Sequence, residues 1–185
     1  DDDQTDDIAD IIEDGHTSSA SSGNERVIFP AGTYQVTNLG KVGGSEACFT
    51  SDNSYWLEGA GMGMTTIRNV ASATDPIIQY GEAGSGYGSG VAESRMFVIK
   101  DMTIDGNDCA VTTGMSAINL RADYIVIDNV EFTNMGPALR IVGSPKLVAI
   151  TNCRFVGMKA NTGVTEDFGL VRMDEVTGDE TAFVF

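Results

Sequence analysis

Few residues of this sequence have the type and spacing that catalysis would need. His16 is the only histidine of the 185-residue chain, which disfavours a Ser-His-Asp triad and a histidine-rich metal site. Cys48, Cys109 and Cys153 show no CxxC or Cys/His spacing. The glycines of residues 81–90 match neither a P-loop nor a dinucleotide-binding fingerprint. The sequence therefore predicts that His16 is an exposed loop residue, and it gives no sign of nucleophilic, zinc or nucleotide chemistry.

Exposed aromatic residues offer a different chemistry, because the face of a pyranose ring stacks on Trp or Tyr. In Tyr55-Trp56-Leu57, strand alternation directs Trp56 outward between two inward residues. Tyr87 lies in the glycine-rich segment, whereas Tyr80 is predicted to be a core residue. Trp56 is therefore a candidate substrate-binding residue for a sugar.

A repeat within residues 97–157 indicates how such side chains are positioned. One pattern of apolar, any, apolar, two polar, apolar, any, apolar residues fits three segments: Phe97–Ile104, Ile125–Phe132 and Val148–Phe155. Apolar residues at every second position indicate a β-strand with one buried face. In each segment the two adjacent polar residues interrupt this alternation, and they include an Asp or Asn. These two residue types tolerate the left-handed backbone of a corner. The repeat therefore predicts stacked coils of a β-solenoid.

The stacking assigns specific ladders of core residues. We expect Ile99, Ile127 and Ile150 to form one ladder and Ile104, Phe132 and Phe155 to form another. A third short strand precedes the paired strands of a coil at four places: Ile78–Tyr80, Ile118–Leu120, Leu139–Ile141 and Val171–Met173. Three strands per coil predict an all-β fold, a right-handed parallel β-helix of about five coils.

The chain divides into two predicted regions. Residues 1–25 form an acidic N-terminus with a short capping helix, based on Ile8, Ile11 and Ile12, and a Ser/Gly-rich loop. Residues 26–185 form the β-helix domain. Its last repeat, at residues 183–185, lacks the corner that should follow, so we expect the domain to continue beyond the given C-terminus or another chain to cover this end.

The amino-acid composition limits the kinds of molecule that this chain is expected to bind. The chain has 27 acidic and 11 basic residues and a net charge of −16. Excess acid with little lysine is typical of proteins from extreme halophiles, in which carboxylates maintain hydration in concentrated salt. Nucleic acid is disfavoured, because phosphate binding needs a basic face. No apolar run is long enough to span a bilayer.

Residues 8–157 resemble the pectate-lyase-like superfamily of right-handed parallel β-helices. This superfamily includes polysaccharide lyases, pectin hydrolases, epimerases and viral tail spikes. The resemblance is carried by residues 8–12 as a cap, VIFPAGTYQV (27–36), LEGAGMGMTTI (57–67), MTIDGN (102–107) and ITNCRFVG (150–157). These are structural motifs of the coil, so they imply the architecture and not one activity.

The resemblance implies a substrate groove along the outward face of the third strands. The substrate-binding residues expected there are Gln79, Asn119, Arg140 and Arg172. Glycoside hydrolysis needs a carboxylate pair across one bond, and this ladder has none, which disfavours a hydrolase. In a lyase Arg140 would be the catalytic base, with Asp105 and Asp108 binding Ca²⁺. The sequence requires no other cofactor, and a solvated arginine ladder without catalysis is the alternative.

The leading functional interpretation is an extracellular or virion-associated β-helix with a structural or adhesive role that recognises surface glycans, as tail spikes and adhesins do. One alternative is a polysaccharide lyase or a related carbohydrate-active enzyme, and another is an architectural repeat of a surface layer or filament. The expected partner is a polysaccharide or cell-surface glycan. A homo-oligomer is compatible with these interpretations, and a tail spike would be a trimer.

Overall fold

The computed structural model of the protein describes residues 24–36, 54–69, 77–80, 95–109, 117–143, 145–158, 171–174 and 182–184. Within these ranges the structure is all-β, and every strand pairing is parallel. The same ranges contain no helix, and none that could cross a membrane. The capping helix predicted at residues 8–12 lies outside the described residues.

Thirteen strands occur in the described ranges: β1 (Asn24–Ile28), β2 (Gly32–Val36), β3 (Ser54–Glu58), β4 (Thr65–Asn69), β5 (Ile78–Tyr80), β6 (Met96–Cys109), β7 (Ile118–Leu120), β8 (Tyr124–Met135), β9 (Leu139–Val142), β10 (Leu147–Thr151), β11 (Arg154–Val156), β12 (Val171–Asp174) and β13 (Ala182–Val184). The first sheet has the order β1-β3-β6-β8-β10-β13, joined by β2, β4 and β11. The second sheet has the order β12-β9-β7-β5.

The predicted core ladders are confirmed. Ile99 and Ile150 both pair with Ile127 in parallel register. In the other ladder, Ile104 and Phe155 both pair with Phe132. The Phe132 and Phe155 rings stack with centroids 5.1 Å apart and an interplanar angle of 12°. Because the period is two, this register directs one complete set of apolar side chains into the core.

The predicted corners are also confirmed, and they explain why the first sheet bends. Asp101, Asn129 and Asn152 have φ values of 56°, 54° and 53°, in the left-handed region that Asn and Asp tolerate. Asn129 Nδ2 donates to Asp101 Oδ1 (2.6 Å), and Asn152 Nδ2 donates to Asp128 Oδ1 (2.8 Å). Each corner is therefore hydrogen-bonded to the next repeat.

The two sheets share one hydrophobic core. Tyr80 of β5 is buried, as predicted, with its ring centroid 4.8 Å from that of Phe97 and 5.7 Å from that of Tyr55 in the first sheet. The four short strands predicted before the paired strands all form the second sheet. Phe183 pairs with Val148, as the repeat in the sequence indicates. The outer faces of both sheets are therefore the surfaces on which a site can be built.

Candidate functional site

The second sheet brings together the four residues predicted to line a groove. Its core side is formed by alternate residues such as Ile118, Leu120, Leu139 and Ile141, all of which are buried. The residues between them pair in the register Gln79, Asn119, Arg140, Arg172. Neighbouring parallel strands lie about 4.8 Å apart. One position per strand thus forms a continuous row across the outer face.

Asn119 departs from the expectation of an outward groove residue. Only 2% of its surface is exposed, whereas Arg140 is half-buried. In register Asn119 lies between Gln79 and Arg140. Asn119 is therefore not at the surface of the described structure, and Arg140 is. For Gln79 and Arg172 the structure describes the strand positions.

Arg121 is a further residue of this region that the sequence prediction missed. It directly follows β7 and is half-buried. Its side chain lies over Gly143, where an added Cβ would come within 3.4 Å of Arg121 Nε. Gly143 has φ +88°, a conformation that glycine adopts readily. The sequence contains no signal for it, because the strand ends at Leu120 in the structure as in the prediction.

Three of the seven arginines of this acidic chain belong to the region: Arg140 and Arg172 occupy paired strand positions, and Arg121 directly follows β7. We call these three residues the arginine row. A guanidinium is always charged and presents a planar fork that matches a carboxylate. Charge-assisted pairs of this kind are about twice as strong as neutral hydrogen bonds. The guanidinium groups of this row, and not the net charge of the chain, are what suits it to a ligand with carboxylates.

Asp105 occupies a different environment from the one predicted for a calcium ligand. Its Oδ1 accepts from the Asn107 amide (2.9 Å) and Asn134 Nδ2 (3.2 Å), and its Oδ2 accepts from Arg68 Nε (2.9 Å). Calcium takes six to eight oxygen ligands, but this buried carboxylate is surrounded by donors, and one of them is a cation. In the described structure the oxygens of Asp105 therefore accept hydrogen bonds and form an ion pair, and its role as a Ca²⁺ ligand stays a prediction.

The other predicted calcium ligand, Asp108, can be placed only by its strand position. In the part of the chain that the structure describes, no group of three or more His, Cys, Asp or Glu side chains could bind a metal. Asp108 lies in β6, and its side chain is outside the description. Asp105 belongs to the first sheet and Arg140 to the second. Asp105 instead stabilises a corner, where Asn107 and Asn134 have φ values of 50° and 53°.

Acid should weaken this corner. Burial of Asp105 favours its neutral form, but hydrogen bonds from the Asn107 amide, Asn134 and Arg68 outweigh that effect and hold the pKa of the carboxyl below its ordinary value of 3.8. The folded state then binds fewer protons than the unfolded state. The stabilisation is complete above the ordinary pKa and is lost as pH falls through the lowered value.

We therefore expect Asp105→Asn to lower the free energy of unfolding by about 2 kcal/mol at neutral pH, and the difference from the parent to shrink below about pH 4. Urea unfolding from pH 7 to pH 3 measures this difference. The control is Glu131→Gln, which removes an exposed ion pair with Arg154 and should cost at most about 1 kcal/mol. A difference that stayed constant with pH would contradict the assignment.

Trp56 is exposed, as predicted, but it lies on the first sheet and not beside the arginine row. Arg26 Cζ lies 5.6 Å and Lys100 Nζ lies 5.3 Å from the centroid of its ring. Glu58 accepts from Arg26 Nε (3.0 Å) and pairs with Lys100 Nζ (3.2 Å). The structure therefore separates the predicted binding residues into two surfaces.

Comparison with known proteins links part of this chain to carbohydrate enzymes of Azotobacter vinelandii. Mannuronan C5-epimerase AlgE4 is 34% identical over 87 residues, which cover 47% of this chain and 14% of that protein. Mannuronan C5-epimerase AlgE6 is 34% identical over 87 residues, or 9% of its length, and AlgE1 is 36% identical over 87 residues, or 6% of its length. The chain thus matches only a small part of these relatives. No protein-family model and no solved structure matches it.

Proposed function

We propose that this chain is a right-handed parallel β-helix that binds an acidic polysaccharide on the outer face of its second sheet. The path of the chain supports the coil. It leaves the second sheet after β7, forms β8 in the first sheet and returns to the second sheet in β9. Strands of both sheets pair in parallel with the following repeat, as in Asn119 with Arg140 and Ile127 with Ile150. Winding around one shared core satisfies all of these pairings at once.

The observation that carries the ligand class is the arginine row. Arg140 and Arg172 are direct neighbours in register, and the Arg121 side chain lies over Gly143, which directly follows β9. A polymer of uronic acids presents one carboxylate per sugar, so successive carboxylates can meet successive guanidinium groups. Relatives named for their action on mannuronan, a uronic-acid polymer, support this class of ligand. Their names do not support the tail-spike or adhesin roles.

A carbohydrate-active enzyme is the second candidate, because the relatives are named as C5-epimerases. In a uronic acid, C5 carries the carboxylate, so inversion there requires removal of the proton next to that group. A guanidinium paired with the carboxylate would stabilise the charge that develops. Arg140 fits this role by position. Its role as a base, a requirement for Ca²⁺ and an extracellular location remain predictions.

Binding to polymannuronate tests the proposal. We expect Arg140→Ala and Arg121→Ala each to weaken binding about tenfold or more, because each removes a charge-assisted pair with a carboxylate. Arg154→Ala is the matched control, since that arginine is exposed on the first sheet and paired with Glu131, and it should bind as the parent does. Calorimetry, with neutral dextran as the reference polymer, measures the affinities.

Turnover separates the two candidates. Unsaturated products that absorb in the ultraviolet would show a lyase, and a change of sugar configuration in the polymer, measured by NMR, would show an epimerase. Binding without turnover would leave a glycan-binding module. Equal affinity for dextran and polymannuronate, or full binding by the Arg121→Ala, Arg140→Ala double variant, would contradict the assignment of the arginine row.

A further inference from the structure

The outer face of the first sheet carries a cluster that the arginine row does not include. We define the Trp56 cluster as Arg26 of β1, Trp56 and Glu58 of β3, and Lys100 of β6. Arg26 pairs with Trp56 across the strands, and Lys100 pairs with Glu58. Both cations lie within 6 Å of the indole centroid, at distances at which cations are attracted to the ring. Three adjacent strands thus position one aromatic ring and two cations together.

The shape of this face makes Trp56 prominent. Trp56 continues in register into Val98, Val126 and Ala149 of the next three repeats. These side chains are much smaller than an indole; Val98, next to the ring, is buried, and Val126 and Ala149 are half-buried. Its exposed fraction is 38%. An outward Trp beside a low apolar floor provides a step against which a flat ring can pack.

The charges of the cluster select the kind of ligand. Arg26 and Lys100 share the single carboxylate of Glu58. Lys100 also lies 3.7 Å from Asp101 Oδ2, while Asp101 Oδ1 accepts from Asn129. The side chain of Arg26 is 55% exposed, so its guanidinium reaches solvent with donors beyond those that Glu58 accepts. A ligand with an apolar ring face and a carboxylate complements an indole beside such a guanidinium.

We propose that the Trp56 cluster is a second carbohydrate-binding site, separate from the arginine row, for one uronic-acid unit. Trp56 packs against the pyranose ring, and Arg26 binds the carboxylate. This inference takes its ligand class from the proposed function but places the contact on another sheet. Because the outer faces of the two sheets point away from their shared core, one protein chain would contact polysaccharide on two sides, which raises its avidity for a polymer matrix.

The single tryptophan of the chain makes the site directly observable. We expect short oligomannuronates to change the Trp56 fluorescence in the parent and in Arg140→Ala with the same midpoint. Arg26→Ala should shift this midpoint about tenfold or more to higher ligand concentration, because the carboxylate loses its charged partner. Arg154→Ala, an exposed arginine on the same sheet, should leave it unchanged. Calorimetry should count two sites in the parent and one in Trp56→Ala.

The outcomes distinguish this inference from the proposed function. Calorimetric binding that Arg140→Ala abolishes, with no fluorescence change at saturation, would overturn the second site and leave the first. A fluorescence change that Arg140→Ala removes would show one shared site and would also overturn the inference. An equal response to neutral oligosaccharides would contradict the role of Arg26. Trp56→Phe keeps an aromatic ring and should still bind at two sites. If it does, the loss of one site in Trp56→Ala is due to lost stacking on the ring and not to misfolding.

Discussion

Phe132→Asp should leave no folded protein. Phe132 is fully buried, pairs with Ile104 on one side and Phe155 on the other, and stacks on the Phe155 ring. Removing a buried phenylalanine side chain costs about 3–5 kcal/mol, and an unpaired carboxylate in the same place adds the penalty of burying a charge. The sum is comparable with the whole stability of a domain, about 5–15 kcal/mol. Circular dichroism and thermal melting of the purified variant measure the outcome.

The control is Val156→Asp, which puts the same carboxylate on the adjacent repeat. Val156 is the neighbour of Phe155 in β11 and is 42% exposed, so the charge stays in water and the change should cost less than about 1 kcal/mol. Phe132→Leu provides an intermediate step, which should fold with a lower melting temperature. A soluble Phe132→Asp protein that melts with the parent would show that the register is wrong.

The register could be predicted from the sequence because the pattern of buried residues is local and repeated. Each apolar residue of a ladder recurs at the same place in the next repeat, as in Ile99, Ile127 and Ile150, and a shift of one residue would expose the whole set. The corners were predictable for a similar reason, since Asp101 and Asn129 mark each change of phase with a residue that tolerates positive φ.

The site was less predictable, because it depends on contacts between distant segments. Strand phase placed Asn119 on the outer face, but the structure buries it. Asp105 is found in an Asp-Gly-Asn motif that suits a metal loop as well as a corner. Only the positions of Arg68 and Asn134, 37 and 29 residues away, show that its oxygens are occupied.

The sequence also left activity open for a physical reason. The motif LEGAGMGMTTI, at residues 57–67, contains a glycine, Gly59, that the close approach of two chain segments requires, whatever the outer face binds. The proposed ligand contacts, such as Arg121 and Arg140, belong to no repeated pattern of core residues, so the sequence contains no comparable signal for them. A repeat pattern therefore predicts the scaffold better than it predicts the ligand.

Gly59→Ala should be the most damaging single-methyl change in that motif. A Cβ at Gly59 would lie 2.3 Å from the backbone oxygen of Asp101 and 2.9 Å from the Cβ atoms of Met102 and Thr65. The backbone of Gly59 cannot move away from Asp101 without losing a hydrogen bond, because the Gly59 amide donates to the Lys100 carbonyl at 3.0 Å. We expect a loss of about 3 kcal/mol or more, which for a chain of this size lowers the melting temperature by about 6–12 °C.

Gly63→Ala separates this clash from the general cost of replacing a glycine in the same turn. A Cβ at Gly63 meets nothing within 4 Å, but its φ of +72° strains any side chain, so the expected cost is about 1–2 kcal/mol. Gly63→Asn should cost less, because Asn tolerates this backbone region. Gly59→Asn, in contrast, should be as damaging as Gly59→Ala. At Gly59 the constraint is the lack of space for any Cβ, and tolerance of positive φ does not relieve it. Equal melting temperatures for Gly59→Ala and Gly63→Ala would contradict that close approach.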